Sequence, residues 1–139
     1  MNDTHNRYQF FYALYNENDI RHLDANRFAE TTTETMLIPC VALPELTYLF
    51  IRDAGYRGVE TFYAYFKDMS PQLVWILPED VYKIHEIIET YASAEFDIVD
   101  CCIMALAERL QITRIATFDR RDFSIFRPRH CDFLELLPV

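Results

Sequence analysis

Only two glycines, Gly55 and Gly58, and six prolines occur in 139 residues. That scarcity excludes the disordered and low-complexity classes, and it leaves no phosphate-cradling loop of the G-x-G-x-x-G or G-x-x-x-x-G-K-S/T type. A nucleotide-cradling small-molecule enzyme is therefore disfavoured. Apolar runs are broken by charge well before the roughly 18 residues that a spanning helix requires, so no membrane segment is expected. The opening stretch, Met1 to Arg7, is polar and lacks the basic-then-apolar order of a signal peptide. A cytoplasmic location is the expectation.

Cysteine and histidine are also used without pattern. Cys40, Cys101, Cys102 and Cys131 contain no C-x-x-C pair, and His5, His22, His85 and His130 show no H-E-x-x-H spacing, so a zinc site is not indicated. The adjacent Cys101 and Cys102 read as small core residues of a helix. Positive charge is short as well: 13 Lys and Arg stand against 22 Asp and Glu, a net charge of −9. Broad electrostatic adhesion to nucleic acid is excluded, because that affinity comes from cations neutralising phosphates. A nucleic-acid substrate is not. Several carboxylates repel phosphate until a divalent ion occupies them, and the same groups then hold the ion that binds it. An acidic surface also suits a basic protein partner.

What is present is a chain that is 51% hydrophobic and long enough for one core, with no linker and no internal repeat, so a single domain over residues 1–139 is expected. Phe10 to Tyr15 is a short apolar segment. Ile20 to Thr31 has apolar residues at helical spacing after Asn18-Asp19, a possible cap. Met36 to Ala42 reads as a buried strand. Pro44 suits the first turn of a helix from Leu43 to Asp53, which Gly55 stops. A second helix spans Gly58 to about Lys67, a strand Leu73 to Leu77, and a helix opens at Pro78. Ile98 to Leu110 is apolar almost all round, as a central helix is. Arg114 to Thr117 and Phe133 to Leu136 complete the strands. This order predicts a parallel-rich α/β sandwich.

The acids fall where elements begin or end. Asp97 and Asp100, three apart, open the apolar helix; Glu45 follows Pro44; Asp119 follows a strand directly, at the edge where ligands bind in open α/β sheets. Each has a plain structural explanation: Asp97 as N-cap, Asp100 and Glu45 as partners of a helix dipole, Asp119 as a turn residue. Converging, they would instead offer the hard oxygen ligands that Mg²⁺ or Mn²⁺ takes.

The segments Phe11-Tyr12-Ala13-Leu14 with Asp19 and His22, Leu43-Pro44-Glu45-Leu46, Phe96-Asp97-Ile98-Val99-Asp100 running into Ala105-Leu106-Ala107-Glu108-Arg109-Leu110, and Thr117-Phe118-Asp119-Arg120-Arg121-Asp122-Phe123, in this order, resemble the PIN domains. The resemblance implies a three-layer α/β/α sandwich with a parallel central sheet. It also implies an Mg²⁺- or Mn²⁺-dependent ribonuclease, like the VapC-like toxins of toxin-antitoxin pairs. The implied partners are an RNA substrate, a small antitoxin protein and a second copy of the chain. Glu45, Asp100 and Asp119 are implied as catalytic metal-site acids, with Asp97 accessory and Asp122 weaker. Thr117 would add a hydroxyl near the metal or belong to the strand. Arg120 and Arg121, with Arg127 nearby, would steady RNA phosphates or balance charge in a solvated loop.

The chain departs from the family pattern at its start. Members begin with an apolar strand ending in Asp-Thr or Asp-Ser, and gapless alignment puts Arg7 and Tyr8 at that pair, with Asp3-Thr4 four residues earlier. Either Asp3 returns to the site as a metal ligand, or the first acid and most of the first strand are missing. Two further classes stay open: a catalytically silent PIN-like binding module, and a nuclease acting on structured DNA.

Overall fold

The computed structural model describes residues 9–32 and 36–138. Asp3, Arg7 and Tyr8 lie outside them. Among the described residues, six helices and four short strands follow in order: α1 (Gln9–Tyr15), α2 (His22–Thr31), β1 (Leu37–Pro39), α3 (Leu43–Met69), β2 (Gln72–Val74), α4 (Pro78–Thr90), α5 (Ile98–Leu110), β3 (Arg114–Ala116), α6 (Arg121–Ile125) and β4 (Glu135–Leu137). Two 3₁₀ turns, Cys40–Ala42 and Ala92–Ala94, precede α3 and α5. Both ladders are parallel: β1 pairs with β2 in the register Ile38 to Leu73, and β3 with β4 in the register Ile115 to Leu136. The architecture is thus the α/β class with parallel strands that the element order predicted, with a smaller sheet.

The strands are shorter than the apolar runs that mark them. Met36 to Ala42 reads as one strand, yet pairing ends at Pro39, which has no N–H to give, and Cys40–Ala42 tightens into the 3₁₀ turn that enters α3. Leu73 to Leu77 shifts to Gln72–Val74, because Leu77 already precedes the Pro78 helix and its N–H bonds to the Asp80 carboxylate at 2.8 Å. The expected cap at Asn18-Asp19 also moves. α2 starts at His22, with Ile20 exposed to solvent, and the Asp19 carboxylate accepts the Arg21 N–H at 2.8 Å in the preceding turn. The α5 bounds agree with the sequence reading at both ends.

Gly55 interrupts α3 without ending it. Its φ of 66° and ψ of −168° lie in a region that essentially only glycine occupies, so the chain kinks there and resumes helical winding. The kink lets both halves of α3 share one core, where Phe50 stacks on Phe62 at 4.7 Å and Tyr12 of α1 meets Phe50 at 4.9 Å. Ala42, Leu46, Leu49 and Val59 complete this cluster, and Val99 of α5 packs against it. Of the aromatics of α3, Phe50 and Phe62 are buried, while Tyr48, Tyr56, Tyr63 and Tyr65 are exposed. A second cluster joins Ile87 of α4, Cys101, Met104 and Ala105 of α5, and Phe123 and Phe126 of the α6 region. A third joins Ala13 and Ala25 with Phe28, Ala116 and Phe118. α5 therefore sits between the two larger clusters, with its first turn held from both sides.

Candidate active site

The first turn of α5 is built from carboxylates. Asp97 has extended backbone, and its carboxylate accepts the Val99 N–H at 2.9 Å, satisfying one of the donors a helix start leaves open. Its own N–H donates to Asp122 Oδ2 at 3.1 Å, which ties the start of α6 to the start of α5. Asp122 is 5% exposed and also accepts Arg121 Nη1 at 2.7 Å. Asp100, in the third helical position, is 4% exposed, where the helix dipole favours its charge. The family resemblance implied Asp122 only as a weaker member; the contact across 25 residues that makes it a neighbour of Asp97 has no local signal.

The neighbouring thiols register the resulting field. Burial, then Asp100, then Cys102, Asp122 and Asp97, push the Cys101 thiol up to about 11. Cys102 is raised by burial and by Asp97 and Asp80. Both cysteines are free, and Cys101 is buried in the core as expected. Three acids thus act on one helical turn.

Asp119 and Glu45 lie on other elements. Thr117, one residue beyond β3, continues the ladder through its N–H to the Leu137 carbonyl at 2.8 Å. Its buried hydroxyl donates to the Asp119 carbonyl at 2.8 Å and accepts the Asp119 N–H at 3.1 Å. Thr117 therefore shapes the loop that carries Asp119. Arg21, before α2, lies over the Phe118 ring at 4.9 Å and fastens that loop from the other side. Glu45 is in the first turn of α3, directly after the turn that β1 feeds, and Val99 packed on the Leu43 and Leu46 cluster sets that turn beside the start of α5. Glu45 and Asp100 thus stand in the first turns of α3 and α5, and Asp119 in the loop after β3.

These oxygens suit a hard divalent cation in chemistry. In approach they are incomplete: among the described residues, no three His, Cys, Asp or Glu side chains come close enough together to hold a metal ion. Asp97 and Asp122 are already used in bonds to backbone and guanidinium. The arginines near the last acid also make internal contacts. Arg121 Nη2 donates to the Ala94 carbonyl at 2.8 Å, Arg120 to the Pro138 carbonyl, and Arg127 Nη1 to the Ser124 and Phe126 carbonyls.

The fold matches that of a solved structure, VapC20 of Mycobacterium tuberculosis, described as a sarcin-ricin loop cleaving toxin. The TM-score is 0.71 over 81% of this chain and 86% of that one, at 21% identity. No curated protein matches the chain by sequence. The PIN domain family model matches residues 9–127, a span that includes Glu45, Asp97, Asp100, Asp119 and Asp122. The chain belongs to the PIN domain family.

Proposed function

We propose that this protein is a metal-dependent endoribonuclease, the toxin of a toxin-antitoxin pair, acting in the cytoplasm. The observation that carries the reading is the buried Asp100 carboxylate at the start of α5, whose neighbour Val99 packs on the cluster that includes Leu43 and Leu46 of the first turn of α3, where Glu45 stands. Family membership and the fold shared with a sarcin-ricin loop cleaving toxin support it.

Glu45, Asp100 and Asp119 would hold the cation, drawing together around it. When bound, Mg²⁺ or Mn²⁺ supplies an activated water and positive charge for the phosphate oxygens. Asp97 and Asp122 position the α5 turn that presents Asp100. Thr117 fixes the backbone of Asp119. Arg120 and Arg121 would exchange their carbonyl partners for RNA phosphates, which forked guanidinium groups match in geometry. The exposed Tyr56 and Tyr65 of α3 offer contact area to an antitoxin protein or a second copy of the chain.

The test is a Mn²⁺ titration by calorimetry of the wild type, Asp100→Asn and Asp3→Asn. The account expects saturable binding weakened at least tenfold by Asp100→Asn. An equal loss in Asp3→Asn would add Asp3 to the ligands. Binding indifferent to Asp100→Asn contradicts the assignment. A second reading, a catalytically silent binding module, is favoured by the lack of three gathered ligands among the described residues. It predicts no RNA cleavage in either metal by folded, partner-free protein.

A further inference from the structure

α4 carries apolar residues on two faces. Ile84, Ile87 and Tyr91 turn into the cluster around Met104 of α5 and Phe123 of α6. Asp80 and Lys83 fasten that side, through Arg109 Nε at 2.9 Å and Glu108 Oε2 at 3.1 Å. On the other side Pro78, Val81, Tyr82, His85, Ile88 and Glu89 are exposed. Val81, His85 and Ile88 recur at spacings of four and three, which places them in one stripe along the helix. A surface helix ordinarily gives its outer stripe to charged and polar residues. Leu77 and Trp75, exposed just ahead of α4, extend the apolar surface at its N-terminal end. With Trp75 65% and Tyr82 80% exposed, on the order of 300 Å² of aromatic surface faces water. A patch of that size marks a contact site, and Trp and Tyr are residues that anchor interfaces.

The arrangement of the outer face says what covers it. Val81 and Ile88, seven residues apart, lie along one flank of the stripe, and Tyr82 and Glu89, also seven apart, lie along the other, with His85 between them. Turning a second α4 end for end about a two-fold axis at His85 sets Val81 of each helix against Ile88 of the other. The same turn sets each Tyr82 hydroxyl against the other helix's Glu89 carboxylate, a donor against an acceptor. A parallel pair would instead set Glu89 against Glu89. His85 Nδ1 lies 3.1 Å from Glu89 Oε1 in its own helix, so the middle of the face already holds its charge pair internally. This reciprocity, in which one residue meets a second and the second meets the first, is the signature of an isologous contact. We infer that the outer face of α4 is a contact between two copies of this chain, packed antiparallel about a two-fold axis at His85. The family resemblance implied a second copy without a face for it; α4 supplies the face, and the contact does not depend on ribonuclease activity.

The test is sedimentation velocity of the full chain over a hundredfold range of concentration, beside variants of the face. The contact predicts a monomer–dimer equilibrium whose dissociation constant rises at least a hundredfold in Ile88→Glu, with an unchanged melting temperature in dilute protein. If Ile88→Glu does not fold, Tyr82→Ala, at a more exposed position, should weaken the dimer at least tenfold. Tyr65→Ala, on the exposed surface of α3, should leave the dimer as it is. Oxidative cross-linking reads the direction, with the wild type as the baseline for the native cysteines. His85→Cys should link to itself across the axis, and Val81→Cys should link to Ile88→Cys in a mixture but not to itself, since a disulfide spans only a short Cα separation. A chain that stays monomeric at every concentration, or a dimer unmoved by the variants of α4 or lost in Tyr65→Ala, would overturn the proposal. So would Val81→Cys linking to itself, or His85→Cys failing to link.

Discussion

At the scale of single residues, Asp97 and Asp122 of the candidate site hold the structure. Asp97 caps α5 and anchors Asp122, so Asp97→Ala should cost about 1 kcal/mol in urea unfolding, the usual loss for a cap. Asp97→Asn, which caps almost as well, should leave stability near the wild type. A large loss in Asp97→Asn would mean that its charge, and not its cap, is what the fold uses. The cap was legible in sequence because Asp97 sits one residue before an apolar helical run. The burial of Asp122 was not, since it depends on α6 folding back onto α5.

Cys101 gives a pH prediction with a definite sign. Its thiol is held at about 11 against an ordinary value of 9.0, first by burial and then by the surrounding acids. The folded state keeps the proton that the unfolded chain gives up first. Its contribution to stability is therefore complete below pH 9 and is lost as the pH rises through about 11. The gap in unfolding free energy between wild type and Cys101→Ala should narrow over that window. A gap that widens, or that stays constant while both remain folded, would contradict the placement of Cys101 among buried carboxylates. The same shift predicts alkylation at pH 8 roughly a hundredfold slower than for an ordinary exposed thiol, since the thiolate is the nucleophile.

At the scale of elements, α3 depends on both glycines of the chain, for different reasons. Gly55 has open space around the position of a side chain, so the cost of Gly55→Ala lies in the backbone, about 1–3 kcal/mol for that conformation. Gly58 is helical, but an added Cβ would lie 2.5 Å from the Ala54 Cβ and 3.3 Å from the Phe50 carbonyl. Gly58→Ala should therefore destabilise by about 1–3 kcal/mol through overpacking, and Ala54→Gly should recover part of that loss in the double variant. Independent, additive effects in thermal unfolding would contradict the contact. The sequence announced Gly55 as a stop, whereas the shared aromatic core on both sides of the kink carries α3 on to Met69. Periodicity registers the two apolar faces; only tertiary packing joins them.

The same limit applies to the strands. Three-residue ladders leave little period-two pattern, so their apolar runs are visible in sequence while their ends are set by Pro39, by the Asp80 contact before α4 and by pairing partners distant in the chain. Asp80 itself was not singled out by the sequence. It is 3% exposed and accepts Arg109 Nε at 2.9 Å, fixing α4 to the end of α5. Arg109→Ala should cost about 2 kcal/mol by leaving a buried carboxylate short of a partner.

At the scale of the whole molecule, alternating strands and helices sufficed to indicate a parallel α/β domain, and the motif order around Leu43-Pro44-Glu45, Asp97 to Asp100 and Thr117 to Asp119 indicated the family to which residues 9–127 belong. What composition and spacing could not supply is the approach of the acids. Glu45, Asp100 and Asp119 stand at three element ends, and ligating distance depends on side-chain placement that no local pattern encodes. None of the helices is long and apolar enough to cross a membrane among the described residues. The net charge of −9 makes phosphate binding dependent on a cation, so EDTA should abolish RNA cleavage where salt alone only weakens it.

The most direct measurement is cleavage of a structured-RNA pool by purified, partner-free protein in Mn²⁺ or Mg²⁺, beside an EDTA control and the Asp100→Asn variant at equal foldedness by circular dichroism. The account predicts discrete metal-dependent products that fall at least a hundredfold in Asp100→Asn. RNA left intact by folded wild-type protein in both metals, or cleaved equally by the variant, would contradict it.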